Sequence, residues 1–259
     1  MAPVDLRHAL DVALAAVRAA GAAELVHHHA GVRVETKIDR SPVTEADREG
    51  ERVIRQVIAD VFPDHGFLGE ETGGSVDAEY VWVVDPIDGT RGFCRGGAFW
   101  GPLVALTRRG EEALVGAMAL PLLGATYGAA RGLGCWKDGE RLHVSRIAAL
   151  DEATLSLGEM QHLFRRPEAP ALTTLVTRFA SSRGYGDLAG CAMLLEGRAE
   201  AWIEAGVQLW DLAPLQVLVE EAGGTFTDLH GARSIRSGHA LATNGLVHAV
   251  VLDALGTRR

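Results

Sequence analysis

The segment Val81-Trp82-Val83-Val84-Asp85-Pro86-Ile87-Asp88-Gly89-Thr90 constrains this chain more than any other. Its uninterrupted apolar run predicts a strand over residues 80–84, and two carboxylates follow at the strand's carboxyl end. In α/β sheets, ligands bind at that end of the strands. Pro86 stiffens the turn and withdraws one backbone N–H, whereas Gly89 lets a ligand approach the main chain. A helix starting near Thr90 would add free N–H groups suited to an anion. Cation ligands and phosphate donors thus stand side by side.

Elsewhere the pattern supplies helices and further strands. Leu6, Leu10, Ala13, Leu14 and Val17 recur at helical spacing and predict a first helix over residues 4–23. Asp11 and Arg18 interrupt that run, so an amphipathic helix explains it better than a signal peptide. His27, His28 and His29 follow. Consecutive helical side chains diverge, so a solvated helix end is expected there rather than a metal site. The polar stretch from Thr36 through Pro42 reads as a loop. Thr44, with Asp47 three residues later, predicts the N-cap and capping box of a second helix. Val53, Ile54, Val57, Ile58 and Val61 form that helix's apolar stripe, and Pro63 and Gly66 stop it. More strands are expected over residues 103–106 and 114–120, with a further pair inside the Gly-rich stretch 124–139. After Ser145, helices at 188–198 and 212–222 alternate with short strands at 201–204, 225–227 and 239–242. The change of texture predicts two halves, 1–147 and 148–259.

Of the 259 residues, 47% are apolar, enough for a sizeable core. A net charge of −9 argues against nucleic acid as a partner, because polyanion binding draws on clustered Lys and Arg. If such an acidic protein handles phosphate, a bound cation or local N–H donors must supply the attraction. Cys94, Cys135 and Cys191 show no CxxC spacing, which disfavours zinc, and their odd number makes no disulfide framework. No segment reaches the ~18 uncharged apolar residues of a membrane span. A reducing cytoplasm is the expected compartment.

Taken singly, Asp85 and Asp88 are ordinary turn and cap residues. Three other acidic motifs change that balance. They are Glu70 in Gly69-Glu70-Glu71-Thr72-Gly73-Gly74, Asp47 in Pro42-Val43-Thr44-Glu45-Ala46-Asp47, and Asp211 in Trp210-Asp211. Asp211 is expected to cap a helix beginning at Leu212, with Pro214 in its first turn. A solvated surface accounts for Glu45, Glu71, Glu111 and Glu112.

Together these motifs resemble the inositol monophosphatase superfamily. Its signature W-x-x-D-P-I-D-G-T-x-x-F stands here as Trp82 through Phe93, and its second as Trp210-Asp211 with the later Glu221-Ala222-Gly223-Gly224. The resemblance spans roughly residues 35 to 247. It implies an α+β fold, an α-β-α-β-α layered sandwich with the site between its two halves, and a homodimer. It also implies metal ligands at Glu70, Asp85, the Ile87 carbonyl, Asp88 and Asp211. Asp47, Glu70 and Thr90 would be catalytic, Asp47 and Thr90 by orienting or deprotonating the attacking water. The N–H groups of Gly89 and Thr90 would cradle phosphate. Oxygen-only ligands suit a hard cation, Mg²⁺ in two or three copies or Mn²⁺ as substitute, and converging carboxylates would otherwise repel one another.

Within the superfamily, Thr36-Lys37, Ser41-Pro42-Val43-Thr44, Arg91, Tyr185-Gly186-Asp187 and Ala242-Thr243-Asn244-Gly245 resemble bacterial histidinol-phosphate phosphatases more than inositol phosphatases. The expected reaction is hydrolysis of a small phosphate ester, L-histidinol phosphate to L-histidinol in histidine biosynthesis. Inositol 1-phosphate or another sugar phosphate is the alternative. Asp88, Arg91, Asp187 and Glu204 are the expected substrate-side residues, with Glu204 or Asp187 receiving the ammonium. A haloacid-dehalogenase-like D-x-D-G-T motif is the nearest enzymatic rival, disfavoured by one residue too many between the acids. A non-catalytic phosphate or cation binder would have lost a ligand, and every matched position is intact. Residues 94–98 and 159–170 carry no assignment.

Overall fold

Asp5 opens the first helix, α1 (Leu6–Ala30), by accepting the N–H groups of Arg7 at 2.9 Å and His8 at 3.3 Å. In this computed structural model, which describes residues 3–31, 34–36 and 42–256, α1 starts two residues later and ends seven later than its apolar spacing predicts. Tertiary packing carries the extra turns: the His28 ring lies 5.4 Å from that of Phe93 and 5.3 Å from that of Trp100. The three histidines therefore form the helix's last turn instead of following it.

Short strands β1 (Val34–Thr36) and β2 (Pro42–Thr44) pair antiparallel; the loop expected between them falls on residues 37–41, including Lys37 and Ser41, which lie outside the described residues. Helix α2 (Glu45–Ala59) has the expected Thr44–Asp47 capping box. Next come β3 (Gly66–Gly69), β4 (Gly73–Gly74), β5 (Tyr80–Asp88), the single turn α3 (Thr90–Phe93), β6 (Gly101–Arg108) and β7 (Glu112–Leu120). The Gly-rich stretch yields β8 (Ala125–Ala130) and β9 (Gly134–Lys137), with β10 (Glu140–Leu142) after them. The remainder is β11 (Thr154–Leu157), α4 (Met160–Leu163), α5 (Ala169–Val176), β12 (Ser181–Arg183), α6 (Asp187–Leu195), β13 (Ala201–Ala205), α7 (Leu209–Glu221), β14 (Thr225–Thr227), β15 (His239–Thr243) and α8 (His248–Leu255).

Two sheets dominate. One has eight strands in the order β10-β9-β8-β7-β6-β5-β3-β4, and the other five in the order β12-β11-β13-β15-β14. The apolar run of β5 serves both faces of the larger sheet. Trp82 and Val84 pack with Ala13 and Val17 of α1 and Ile54 of α2. Val81 and Val83 face the other way, onto Leu212 and Leu215 of α7 and Leu188 of α6. That second core continues without a break to Trp202 and Ala240 of the smaller sheet, so α6 and α7 are a shared middle layer. Ile203 and Leu241 turn outward onto α5 and α8. The layers run helices, sheet, helices, sheet, helices, the expected α-β-α-β-α sandwich.

One buried group stands apart. Glu24 has no exposed surface, and neither carboxylate oxygen has a hydrogen-bond partner. Burial first, and Asp47 second, hold its pKa well above 4.5. Folding therefore takes up a proton there, and this contribution to stability is lost as pH rises from 4.5 toward the folded-state pKa. Glu24→Met keeps the volume and removes the unsatisfied group, so it is expected to stabilise by about 1–2 kcal/mol at pH 7. Urea unfolding across pH checks this, since the gain should shrink toward pH 4.

Candidate active site

Strand β5 continues four residues past the expected end at Val84, and its geometry there builds the site. Asp85 pairs with Leu103 but Asp88 with Gly101, so three steps on β5 face two on β6. In plain alternation, Asp85 and Asp88 would point to opposite faces of the sheet. The extra residue of this bulge restores Asp88 to the face of Val81, Val83 and Asp85, where α7 lies. Pro86 stands inside the bulge, where a missing N–H does not interrupt the ladder.

Helix α7 brings Asp211 to the same place. Asp211 was expected as the N-cap of a helix from Leu212; the helix starts at Leu209, with Gln208 as cap and Asp211 as its third residue. Its Oδ2 accepts the Gln208 N–H at 2.6 Å, a capping-box role that sequence spacing alone could not separate from the N-cap. By the same shift, Pro214 lies inside the helix and not in its first turn. Asp85, Asp88 and Asp211 each offer a carboxylate oxygen within 4.8 Å of the others.

Glu70 completes the acidic end. The Glu70 N–H donates to the Val84 carbonyl at 3.0 Å, tying its loop to β5. A residue that sequence reasoning missed holds the loop from below: Glu51, buried on α2, accepts the Glu71 N–H at 2.8 Å and the Thr72 N–H at 3.2 Å. Gly69 permits this, because a Cβ there would collide with the Glu51 carboxylate. The available signal was spacing, since Glu51 follows Asp47 by one helical turn on the buried face of α2.

Asp47 itself is buried behind the cavity. Its Oδ2 accepts the N–H and the hydroxyl of Thr44, each at 2.7 Å. Its Oδ1 lies 3.4 Å from the Thr90 hydroxyl, which also lies 2.9 Å from the Ile87 carbonyl. One hydroxyl proton thus has two acceptors. Thr90 begins the single-turn α3, whose cap is Gly89 in the left-handed conformation, φ 84°.

These groups border a cavity of about 430 Å³ lined on one side by Glu70, Asp85, Ile87, Asp88, Gly89, Thr90 and Arg91. The unassigned segment after β11 also lines it, with Glu159, Gln161 and His162, as do Gly206, Val207, Gln208 and Asp187, whose carboxylate lies beside Gly89. The first segment without an assignment, residues 94–98, closes the turn after α3: the Gly97 N–H bonds the Gly92 carbonyl at 2.8 Å.

The two candidate ammonium partners differ in position. Asp187 lies on the wall; it is the first residue of α6, after the cap Gly186, and has φ 56°. Asp tolerates that conformation better than most residues. Glu204 is 1% exposed and does not line the cavity. It is also no strand-end acid in solvent: Oε1 accepts the N–H groups of Glu159 at 2.6 Å and Ala205 at 3.2 Å, and Oε2 that of Asp187 at 3.3 Å. Glu204, expected on the substrate side, forms a buried clamp, its carboxylate filling the space where Gly158 lacks a side chain.

Charge is concentrated accordingly. Burial, then Glu70, Asp211 and Asp88, raise the pKa of Asp85 well above 3.8. Burial, then Asp187 and Asp211, do the same for Asp88. Asp211 is pushed to about 7, chiefly by burial, and Asp187 to about 6 by burial and Glu159. Glu204 reaches about 8, by burial and then Asp187. Mutual repulsion of buried oxygen donors, with no His or Cys among them, is the chemistry of a site shaped for a hard divalent cation. The donor set fits such an ion. Among the described residues, no helix is long and apolar enough to cross a membrane.

Comparison with known proteins agrees with this geometry. Residues 5–257 match the sequence profile of the inositol monophosphatase family. The chain is 40% identical over 257 residues to a histidinol-phosphatase of Mycobacterium tuberculosis, covering 95% of this chain and 97% of that one. It is 31% identical over 220 residues to an inositol-1-monophosphatase of Mesorhizobium japonicum, covering 82% of each. The solved inositol monophosphatase from Anabaena superposes with a TM-score of 0.86 at 29% identity, over 99% of this chain and 98% of that one. This chain belongs to the inositol monophosphatase family and is a phosphatase.

Proposed function

We propose that this phosphatase hydrolyses L-histidinol phosphate to L-histidinol, with Mg²⁺, or Mn²⁺ in its place, held by Glu70, Asp85, the Ile87 carbonyl, Asp88 and Asp211. When bound, the cation would supply charge neutralisation for the phosphoryl oxygens and acidify a water. The observation that carries the substrate choice is the distribution of carboxylates. Beyond the metal-binding end, the cavity wall has two further acids, Glu159 and Asp187, where the alcohol of the ester would lie. An inositol ring gives such acids only hydroxyls; histidinol gives them a cation, and charge-assisted hydrogen bonds are the stronger kind. The similarity to a named histidinol-phosphatase supports the same choice.

The chain's own groups divide the work. The N–H groups of Gly89 and Thr90 face the phosphate. Asp47 and Thr90 orient the attacking water, and Asp47 is the nearby acceptor for its proton. Asp88 and Arg91 border the ester on the β5 side, and Asp187 takes the substrate ammonium.

A phosphate-release screen with Mg²⁺ over histidinol phosphate, inositol 1-phosphate, nucleotide 3′-phosphates and sugar phosphates tests the proposal. Histidinol phosphate is expected to give the highest kcat/KM, and excess chelator to abolish turnover. A higher value for inositol 1-phosphate would transfer the assignment to that substrate, and full activity in chelator would remove the metal.

A further inference from the structure

Three observations converge on the corner after β11. First, Glu159 and Asp187 are the acids on the cavity wall outside the metal-binding end, and no ion pair joins either to a Lys or Arg among the described residues. The Glu159 carboxylate accepts the neutral Gln161 amide at 2.9 Å. Second, both residues hang from a single buried group. Glu204 accepts the main-chain N–H of Glu159 with one oxygen and that of Asp187 with the other, while the Gly158 N–H bonds the Ile203 carbonyl at 2.9 Å. Third, the one-turn α4 is seated by two glycines. A Cβ on Gly184 would stand 2.6 Å from the Met160 methyl, and one on Gly206 would stand 2.6 Å from the His162 ring. Gly206, at φ 80°, lets the ring lie on the backbone leading to Gln208.

We propose that Glu159 is a specificity-determining residue of this phosphatase, forming with Asp187 a two-carboxylate receptor for a positively charged leaving alcohol, and that Glu204 is the positioning residue that sets their separation. The inference deepens the substrate reading above and rests on its placement of the ester in the cavity. A carboxylate held by its own backbone, with no cation beside it, keeps its charge available to a ligand. Two such groups fixed to one buried acid have a defined spacing, which is what lets a wall distinguish an ammonium from a hydroxyl. Gly158 is part of the device, because any side chain there would displace the Glu204 carboxylate.

The test compares matched esters that differ in charge: histidinol phosphate with its N-acetyl derivative, and phosphoethanolamine with ethyl phosphate. p-Nitrophenyl phosphate serves as the measure of intact folding and metal binding. For Glu159→Gln, kcat/KM on histidinol phosphate is expected to fall about ten- to hundredfold, mainly through KM. The N-acetyl derivative and p-nitrophenyl phosphate should stay within about twofold, since neither presents a cation to lose. Glu204→Gln retains an acceptor oxygen and should lose less than Glu204→Ala on the cationic esters. If the wild type ignores histidinol phosphate yet Glu159→Gln still narrows the preference for phosphoethanolamine over ethyl phosphate, the substrate reading falls and this inference stands. Equal losses on charged and neutral esters, or no loss on either pair, would overturn it.

Discussion

Asp85→Asn is expected to lower kcat by about three orders of magnitude, because it strips charge from a proposed ligand of the cation that would stabilise the transition state. The same change should make the chelator-treated protein more stable. Asp85 sits among Glu70, Asp88 and Asp211, and burial and repulsion hold its pKa well above 3.8. An acid whose folded pKa is raised binds its proton more tightly in the native state, so its contribution to stability is lost as pH rises above 3.8. Asparagine has no such charge, yet its Oδ1 can still accept the Ile87 N–H that Asp85 Oδ1 takes at 2.9 Å. A gain of about 1–3 kcal/mol at pH 7 is expected in the chelated state. Saturating Mg²⁺ should reverse the order, since wild type alone would gain the full binding free energy. Calorimetry with and without Mg²⁺ reads both signs. A variant less stable than wild type in chelator would show that repulsion does not dominate this cluster.

Thr90→Ala is expected to lower kcat about a hundredfold with KM within about twofold, whereas Thr90→Ser retains most activity. The kinetic split follows from geometry. The Thr90 hydroxyl stands between the Ile87 carbonyl and Asp47, where it can hand on a proton, and Gly89, not Thr90, caps the following turn. A plain capping residue would cost stability and leave kinetics intact. Steady-state kinetics beside a melting curve separate the two, and a rise confined to KM would make Thr90 a binding group.

How much of this was legible beforehand depended on the range of the interactions involved. The capping box of Thr44 and Asp47, the apolar stripe of α2 through Ile58 and the covered strand through Trp82 are local patterns and appear where spacing placed them, whereas Val61, expected in that stripe, lies past the helix end and is exposed. The acids Asp85, Asp88 and Asp211, which the fold brings together, were legible because each sits in a compact motif. Glu51 and Glu204 were harder. Both are buried acids that accept N–H groups 17 to 45 residues away, and nothing near either residue announces that. Glu204 was expected on the substrate side as one of two acids able to receive the ammonium. Here the neighbouring Gly158 draws it under the wall instead. Helix α1 outran its stripe for a similar reason, since His28 is held by Phe93 and Trp100 from a distant loop. Glu159 lay in a stretch with no helical or strand periodicity, and only the fold brings it to the cavity.

The bulge at Pro86 also makes the chemistry a matter of counting. Along β5, odd-numbered positions up to Asp85 face the middle helices, and the next cavity acid, Asp88, is even-numbered. Bringing both carboxylates together therefore depends on the number of residues between them as much as on their being aspartates. Deletion of Pro86 would remove the extra residue, so plain alternation would still put both acids on the α7 face, now at the spacing of a different hydrolase motif. Insertion of one residue beside Pro86, with the bulge kept, would send Asp88 toward α1 and α2. The protein could then keep both acids and still lose its site. Chains that preserve this interval while varying the residue inside it should remain competent, and chains that lengthen it by one residue should not.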